Sequence, residues 1–175
     1  MTMSINVSGK QLAQPDFISL IKNILEETRL NPRCLILELT ESYLIENAET
    51  VSFKLVELKQ LDVQIHIDDF GTGYSSLSYL NSFPVNALKI DRSFINRIGN
   101  NGENAEIVQA IVDLARNLKM DVIAEGVEME QHLGILKALK CRYVQGYYFS
   151  QPLNYLEVED LLLEVNANLS KIKSL

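Results

Sequence analysis

Six short, mainly apolar runs, each keeping a polar residue at the matching place near its far end, constrain this chain more than any other feature. They are Ser4-Ile5-Asn6-Val7, Leu35 to Thr40, Gln64 to Asp68, Ala87 to Asp91, Asp121 to Glu125 and Tyr143-Val144-Gln145. Their richness in Val, Ile and Leu and their turn-forming flanks predict strands. Between them the apolar period changes to that of helices: Phe17, Leu20, Ile21, Ile24 and Leu25 behind a cap at Asp16, then Val51, Leu55 and Leu58. Further on come a short helix from Ser75 to Leu80, a turn of helix through Phe94, Ile95 and Ile98, and a stripe at Ile107, Ile111, Leu114 and Leu118. Leu133, Leu136 and Leu139 mark another helix, and Val158, Leu161, Leu162, Val165 and Leu169 a terminal one. Ser8 to Pro15 reads as a loop, and Asn100-Asn101-Gly102 as a flexible one. Strands alternating with helices imply parallel strands joined by crossovers.

The polar residues repeat in phase. Asn6, Glu38, Asp68, Lys89, Glu125 and Gln145 each sit beside apolar neighbours of the opposite parity, so all six side chains can face one way while the neighbours pack against helices. They are separated by 32, 30, 21, 36 and 20 residues, about 28 on average, close to the ~31 per unit expected when ~250 residues form eight βα units. This predicts an α/β fold of the TIM-like (β/α) barrel type, with polar groups at the C-terminal strand ends where such barrels place their active sites.

Asp68 and Asp69 complicate the pattern. Adjacent strand residues point to opposite faces, so both carboxylates can enter one site only if the strand ends there, and Gly71 and Gly73 offer the positive φ such a turn needs. Alone, the pair fits either a divalent metal at a strand end or a cap on the following turn or helix. Together, the carboxylates Glu38, Asp68, Asp69 and Glu125, one amide and one lysine suit one or two hard ions, Mg²⁺ or Mn²⁺. His66 shares the parity of Asp68 one layer deeper and reads as an internal hydrogen-bonding histidine, since zinc recruits more His or Cys.

Composition bounds the partners. With 175 residues, 47% of them apolar, the chain reads as one domain over residues 1–175 that buries roughly 70% of its unfolded surface. Its formal charge of −7, without a Lys/Arg cluster, argues against a DNA or RNA polymer. Cys34 and Cys141 are too few for a disulfide framework. No apolar run approaches the ~20 residues of a membrane span, and the start lacks signal-peptide regions, so a cytoplasmic location is expected.

The motifs Asn6-Val7-Ser8, Glu38-Leu39-Thr40-Glu41, Asp68-Asp69-Phe70-Gly71-Thr72-Gly73-Tyr74-Ser75-Ser76-Leu77, Leu88-Lys89-Ile90-Asp91, Ala124-Glu125-Gly126-Val127-Glu128 and Gln145-Gly146-Tyr147 resemble, in order, those of EAL domains, the bacterial cyclic di-GMP phosphodiesterases. The resemblance implies hydrolysis of one phosphodiester of cyclic di-GMP to pGpG on a barrel holding two Mg²⁺ or Mn²⁺ ions. It implies Asn6, Glu38, Asp68, Asp69, Glu125 and Gln145 as metal ligands, with Asp68 bridging the ions. Lys89 and Glu125 are implied as catalytic, Lys89 orienting or helping to activate the attacking water. Glu41 resembles the glutamate that steadies the loop after Asp69, the loop of Gly71 and Gly73.

The name-giving Glu-Ala-Leu motif, with its further ligand and a following arginine, occurs nowhere in these residues, and about six of the family's eight units are represented. The expectation is the C-terminal three-quarters of such a domain: a fragment of a longer enzyme, or a truncation that dimerises or borrows strands. A homodimer, or an upstream sensor or diguanylate cyclase domain, would be its partner. The alternative is a catalytically inactive cyclic di-GMP-binding or protein-interaction module. A third option, an enolising lyase with Lys89 as base, would need a metal-bound carboxylate substrate.

Overall fold

The computed structural model describes residues 1–73, 77–99 and 104–172. The loop expected at Asn100-Asn101-Gly102, the motif residues Tyr74, Ser75 and Ser76, and the side chains of Leu77, Val165 and Leu169 lie outside the described residues. In chain order the elements are β1 (Met3–Asn6), α1 (Gly9–Ala13), α2 (Phe17–Thr28), a 3-10 turn (Pro32–Cys34), β2 (Leu35–Thr40), α3 (Glu41–Glu46), α4 (Ala48–Gln60) and β3 (Gln64–Phe70). There follow α5 (Leu77–Leu80), β4 (Ala87–Ile90), α6 (Arg92–Ile95), α7 (Ala105–Asn117), β5 (Asp121–Ala124), α8 (Glu130–Ala138), β6 (Tyr143–Val144) and α9 (Tyr155–Ile172).

The strands form one six-stranded sheet whose spatial order is its sequence order, β1 to β6, with every neighbouring pair parallel. This is the predicted barrel, open for want of further strands. One parity of side chains, Glu38, His66, Lys89, Ile123 and Gln145 among them, lines a cavity of about 420 Å³ on one face of the sheet. The other parity is apolar and sealed beneath helices: Leu37, Leu39, Ile65, Ile67, Leu88 and Ile90 are at most 2% exposed.

Several local expectations give way to packing. Residues 9–13 are helical rather than loop, because Ser8 and Gln11 form a reciprocal capping box in which each side chain accepts from the other's backbone N–H. Lys54 of α4 then donates to the carbonyls of Leu12 and Gln14 at the far end of α1. Asp16 stands at the N-cap of α2 without a side-chain capping bond. In α7 the fully buried stripe is Val108, Ile111, Val112 and Ala115; of the predicted residues Ile111 belongs to it, Leu114 and Leu118 are half-buried against the core, and Ile107 is 45% exposed. Two apolar stripes overlap on this helix, and contact with β4 and β5 selects the one with smaller side chains. No described residue of α9 joins the core, and Leu156 and Leu163 on it are 56% and 64% exposed.

Candidate active site

β3 does not end at Asp68. It continues to Phe70 through a bulge: Ile67 pairs with Leu88 and Phe70 with Ile90, so Asp68 and Asp69 together face Lys89. The extra residue is accommodated by Asp69, whose φ of +54° is left-handed. Aspartate adopts that conformation more readily than most residues. The bulge therefore does what a strand end was expected to do, aiming two consecutive carboxylates toward one site. Gly71 has a φ of +96°, and a Cβ there would lie 2.9 Å from the Phe94 ring. Gly73 has no positive φ; it lies against Ser42 and Glu41 instead. The Glu41 side chain, buried at the start of α3, accepts the Gly71 N–H at 2.9 Å and so ties the loop after β3 to the end of β2.

Lys89 is 3% exposed and sits among carboxylates from three other strands or strand ends. Its Nζ donates to Glu38 Oε2 at 2.6 Å and pairs with Glu125 Oε1 at 2.7 Å and Asp68 Oδ1 at 3.0 Å. Burial alone would push the ammonium's pKa down, but the bonds to Glu125 and Glu38 outweigh it and hold Lys89 above its usual value. It therefore stays charged at neutral pH, a donor and positive centre rather than the free base that a lyase reading requires. Burial raises Glu125, partly offset by Lys89. Burial, then the charges of Asp68 and Asp91, raises Asp69. His66, buried beneath, is pushed down chiefly by desolvation. Its Nδ1 has no hydrogen-bond partner among the described residues, so the expected internal hydrogen bond from that atom is not made.

Asp68, Asp69 and Glu125 each place a carboxylate oxygen within 4.8 Å of the others. Asp68 Oδ1 is buried and, though ion-paired with Lys89, has no well-angled hydrogen bond. Crowded carboxylates, two of them, Asp69 and Glu125, with raised pKa values, and an under-satisfied oxygen fit a hard divalent cation, whose charge removes their mutual repulsion. Glu38 lies level with Asn6 on one side and His66 on the other, and its carboxylate is engaged by Lys89. Asn6 is exposed at the end of β1. Gln145 follows β6, its N–H bonded to Ala124 O. The cluster of three thus comes from β3 and the end of β5, with Asn6 and Gln145 toward the margins of the sheet.

A cleft of about 380 Å³ opens beside the cluster, lined by Asp69 and Glu125 and by Asp91, Arg92, Glu128 and Tyr147. These last four were not predicted as site residues. The available signal was position: Asp91 and Arg92 directly follow β4 and Glu128 closely follows β5, on the edge where barrel loops build sites.

The EAL domain model matches residues 1–152. The chain is 41% identical over 162 residues to the cyclic di-GMP phosphodiesterase NbdA of Pseudomonas aeruginosa, covering 93% of this chain and 21% of that protein. It is 40% identical over 164 residues to the signaling protein YkoW of Bacillus subtilis, covering 94% and 20%. Among solved structures, the EAL domain of Mycobacterium smegmatis DcpA superposes with a TM-score of 0.89 at 40% identity, covering 94% of this chain and 74% of that one. A cyclic di-GMP complex of the PaMucR phosphodiesterase gives 0.86 at 40%, covering 90% and 64%. The chain thus spans roughly a fifth of the length of these curated relatives and two-thirds to three-quarters of these solved chains. A family match over residues 1–152, carried on a parallel sheet with acidic residues gathered at its C-terminal edge, means that the chain belongs to the EAL domain family.

Proposed function

We propose that this chain is the C-terminal three-quarters of a cyclic di-GMP phosphodiesterase domain, one unit over residues 1–175, that hydrolyses a 3′,5′-phosphodiester of cyclic di-GMP to pGpG. The observation that carries the reading is the convergence of Asp68, Asp69 and Glu125 beside the buried Lys89 ammonium. Asp68, Asp69 and Glu125 would hold a divalent ion, Mg²⁺ or Mn²⁺, with Asn6, Glu38 and Gln145 completing the ligands of a pair. Bound there, such ions polarise the phosphoryl oxygens and lower the pKa of a coordinated water.

The chain's own residues do the rest. Lys89, fixed as an ammonium, orients the attacking water and stabilises charge that develops on the phosphoryl oxygens. Glu125, raised by burial, would take the proton that the water gives up as its oxygen bonds to phosphorus, while the P–O ester bond breaks and the departing 3′-oxygen takes up a proton from solvent. Glu41 and Gly71 keep the loop after Asp69 closed against α3.

Purified chain with Mn²⁺ should release pGpG from cyclic di-GMP, read by chromatography, and Asp68→Asn should abolish release. Turnover undiminished in Asp68→Asn overturns the assignment. A second reading, a cyclic di-GMP-binding module without turnover, is favoured by the open margins β1 and β6. Calorimetry separates the two, since binding with Mn²⁺ but no product supports the module. None of the described helices is long and apolar enough to cross a membrane. We infer a cytoplasmic domain that works as a homodimer or behind an upstream sensor or diguanylate cyclase domain. Support for the latter is 41% identity to the bifunctional diguanylate cyclase/cyclic di-GMP phosphodiesterase MucR, of which this chain spans 23%.

A further inference from the structure

We propose that Arg92 receives the second, non-reacting phosphate of the substrate, which makes it the residue that selects a two-phosphate cyclic dinucleotide over a simple phosphodiester. The inference rests on the phosphodiesterase reading above and assigns the far side of the same cleft. That cleft is acidic: Asp69, Asp91, Glu125 and Glu128 line it, and among the described residues Arg92 is the one cation that does.

A cyclic dinucleotide carries two phosphodiester anions on opposite sides of its ring. The carboxylate cluster and its proposed ion account for one of them. The other must enter among carboxylates, where like charges in a half-enclosed, partly desolvated site repel more strongly than in open water. A cation has to meet it there.

Lys89 is not that cation, because three carboxylates already surround its buried ammonium. Arg92 is exposed and, among the described residues, makes no ion pair, although carboxylates line the cleft around it. Asp91, its neighbour, accepts the Ser93 N–H through Oδ1 at 3.0 Å. A guanidinium presents a planar fork that matches two phosphate oxygens, and it holds its charge at any physiological pH.

The root of Arg92 is also held in place. Gly126, one residue after Glu125, has a φ of +73°, and a Cβ there would lie 2.5 Å from Arg92 Cβ and 3.2 Å from its Cα. The turn after β5 therefore backs directly onto the Arg92 main chain. The spacing between the guanidinium's anchor and the Glu125 end of the cluster is set by backbone contact. A solvated rim arginine would leave that close approach without a purpose.

The test compares wild-type chain, Arg92→Ala and Arg92→Lys in Mn²⁺ with two probes: cyclic di-GMP, followed by calorimetry and by pGpG release, and bis(4-nitrophenyl) phosphate, a diester with one phosphate. Arg92→Ala should raise Kd and KM for cyclic di-GMP at least tenfold, with a loss on bis(4-nitrophenyl) phosphate at least fivefold smaller. Arg92→Lys should recover part of the cyclic di-GMP affinity. Mn²⁺ affinity should hold or rise in Arg92→Ala, because a nearby positive charge has been removed; a merely structural lesion would lower it. Equal losses on the two probes, an unchanged Kd for cyclic di-GMP, or weakened Mn²⁺ binding overturns the assignment to Arg92. Failure of the wild-type chain to bind cyclic di-GMP at all overturns both this assignment and the reading on which it rests.

Discussion

The middle of the sheet and its margins are built to different standards. In β2, β3 and β4 nearly every side chain is enclosed, the apolar ones under helices and Glu38, His66 and Lys89 on the opposite face. At the margins β1 is exposed along its whole length, Met3 at 59% and Ile5 at 40%, and Tyr143 of β6 stands 41% exposed. The contrast separates two jobs. The centre fixes the position of Lys89, Glu38 and Asp68, with Glu125 reaching in from the end of β5, while the margins hold Asn6 and Gln145, the proposed ligands whose surroundings are least complete.

The sharpest way to break the contrast is at Lys89. Replacing it by Met strands Glu38, Asp68 and Glu125, three partly or fully buried carboxylates. Breaking a buried ion pair from one side costs about 3–5 kcal/mol. Urea unfolding in EDTA should show a loss of that size, and Mn²⁺ should restore part of it by supplying the missing positive charge. A change below about 1 kcal/mol would mean the ammonium contributes little net stability.

Next is Leu37→Ala, which empties a fully enclosed position of β2. The expected loss is roughly 2–5 kcal/mol, by the same unfolding measurement.

A smaller effect is expected from pH. Asp69 and Glu125 hold their protons more tightly than ordinary carboxylates. Protons should therefore begin to compete with Mn²⁺ at a higher pH than the usual carboxylate range. Affinity should rise with pH through that raised range and level off above it, by at most tenfold, ~1.4 kcal/mol, per pH unit for each proton displaced. A Mn²⁺ affinity that stays flat as pH rises through and just above the usual carboxylate range would show that these two groups do not hold the ion.

Smallest of all, Met3→Ser at the exposed margin should change stability by no more than about 0.5 kcal/mol. A loss as large as that of Leu37→Ala would show that β1 is covered in solution, and sedimentation would then reveal self-association.

How much could be read from the residues follows the same division. The strands of the centre were legible because period-two alternation over Leu35–Thr40 or Gln64–Asp68 has few competing explanations, and the motifs along them are long. The Asp69 bulge was not, since nothing local distinguishes an aspartate at positive φ from one that ends a strand; only the register against β4 reveals it. The short helix α1 carried its signal in Ser8 and Gln11, three residues apart, too brief for periodicity to detect. In α7 the predicted stripe held at Ile111, Leu114 and Leu118 and failed at Ile107, because the choice between Ile107 and Val108 is made by the sheet beneath. Arg92 stands outside the motifs, and Glu128, though it closes one, shares no period with the strand-end residues. They matter by where the loops deliver them, which is a property of the assembled edge.

The order of the sheet has a bearing on how the chain is made. Because β1 to β6 lie side by side in the order in which they occur, no strand has to be inserted between two that are already paired. Each newly synthesised βα unit can add to the edge left by the one before it, so the structure can grow in the direction of translation. Lys89 on the fourth strand finds Glu38 and Asp68 already in place, and Glu125 arrives afterwards to close the charge cluster.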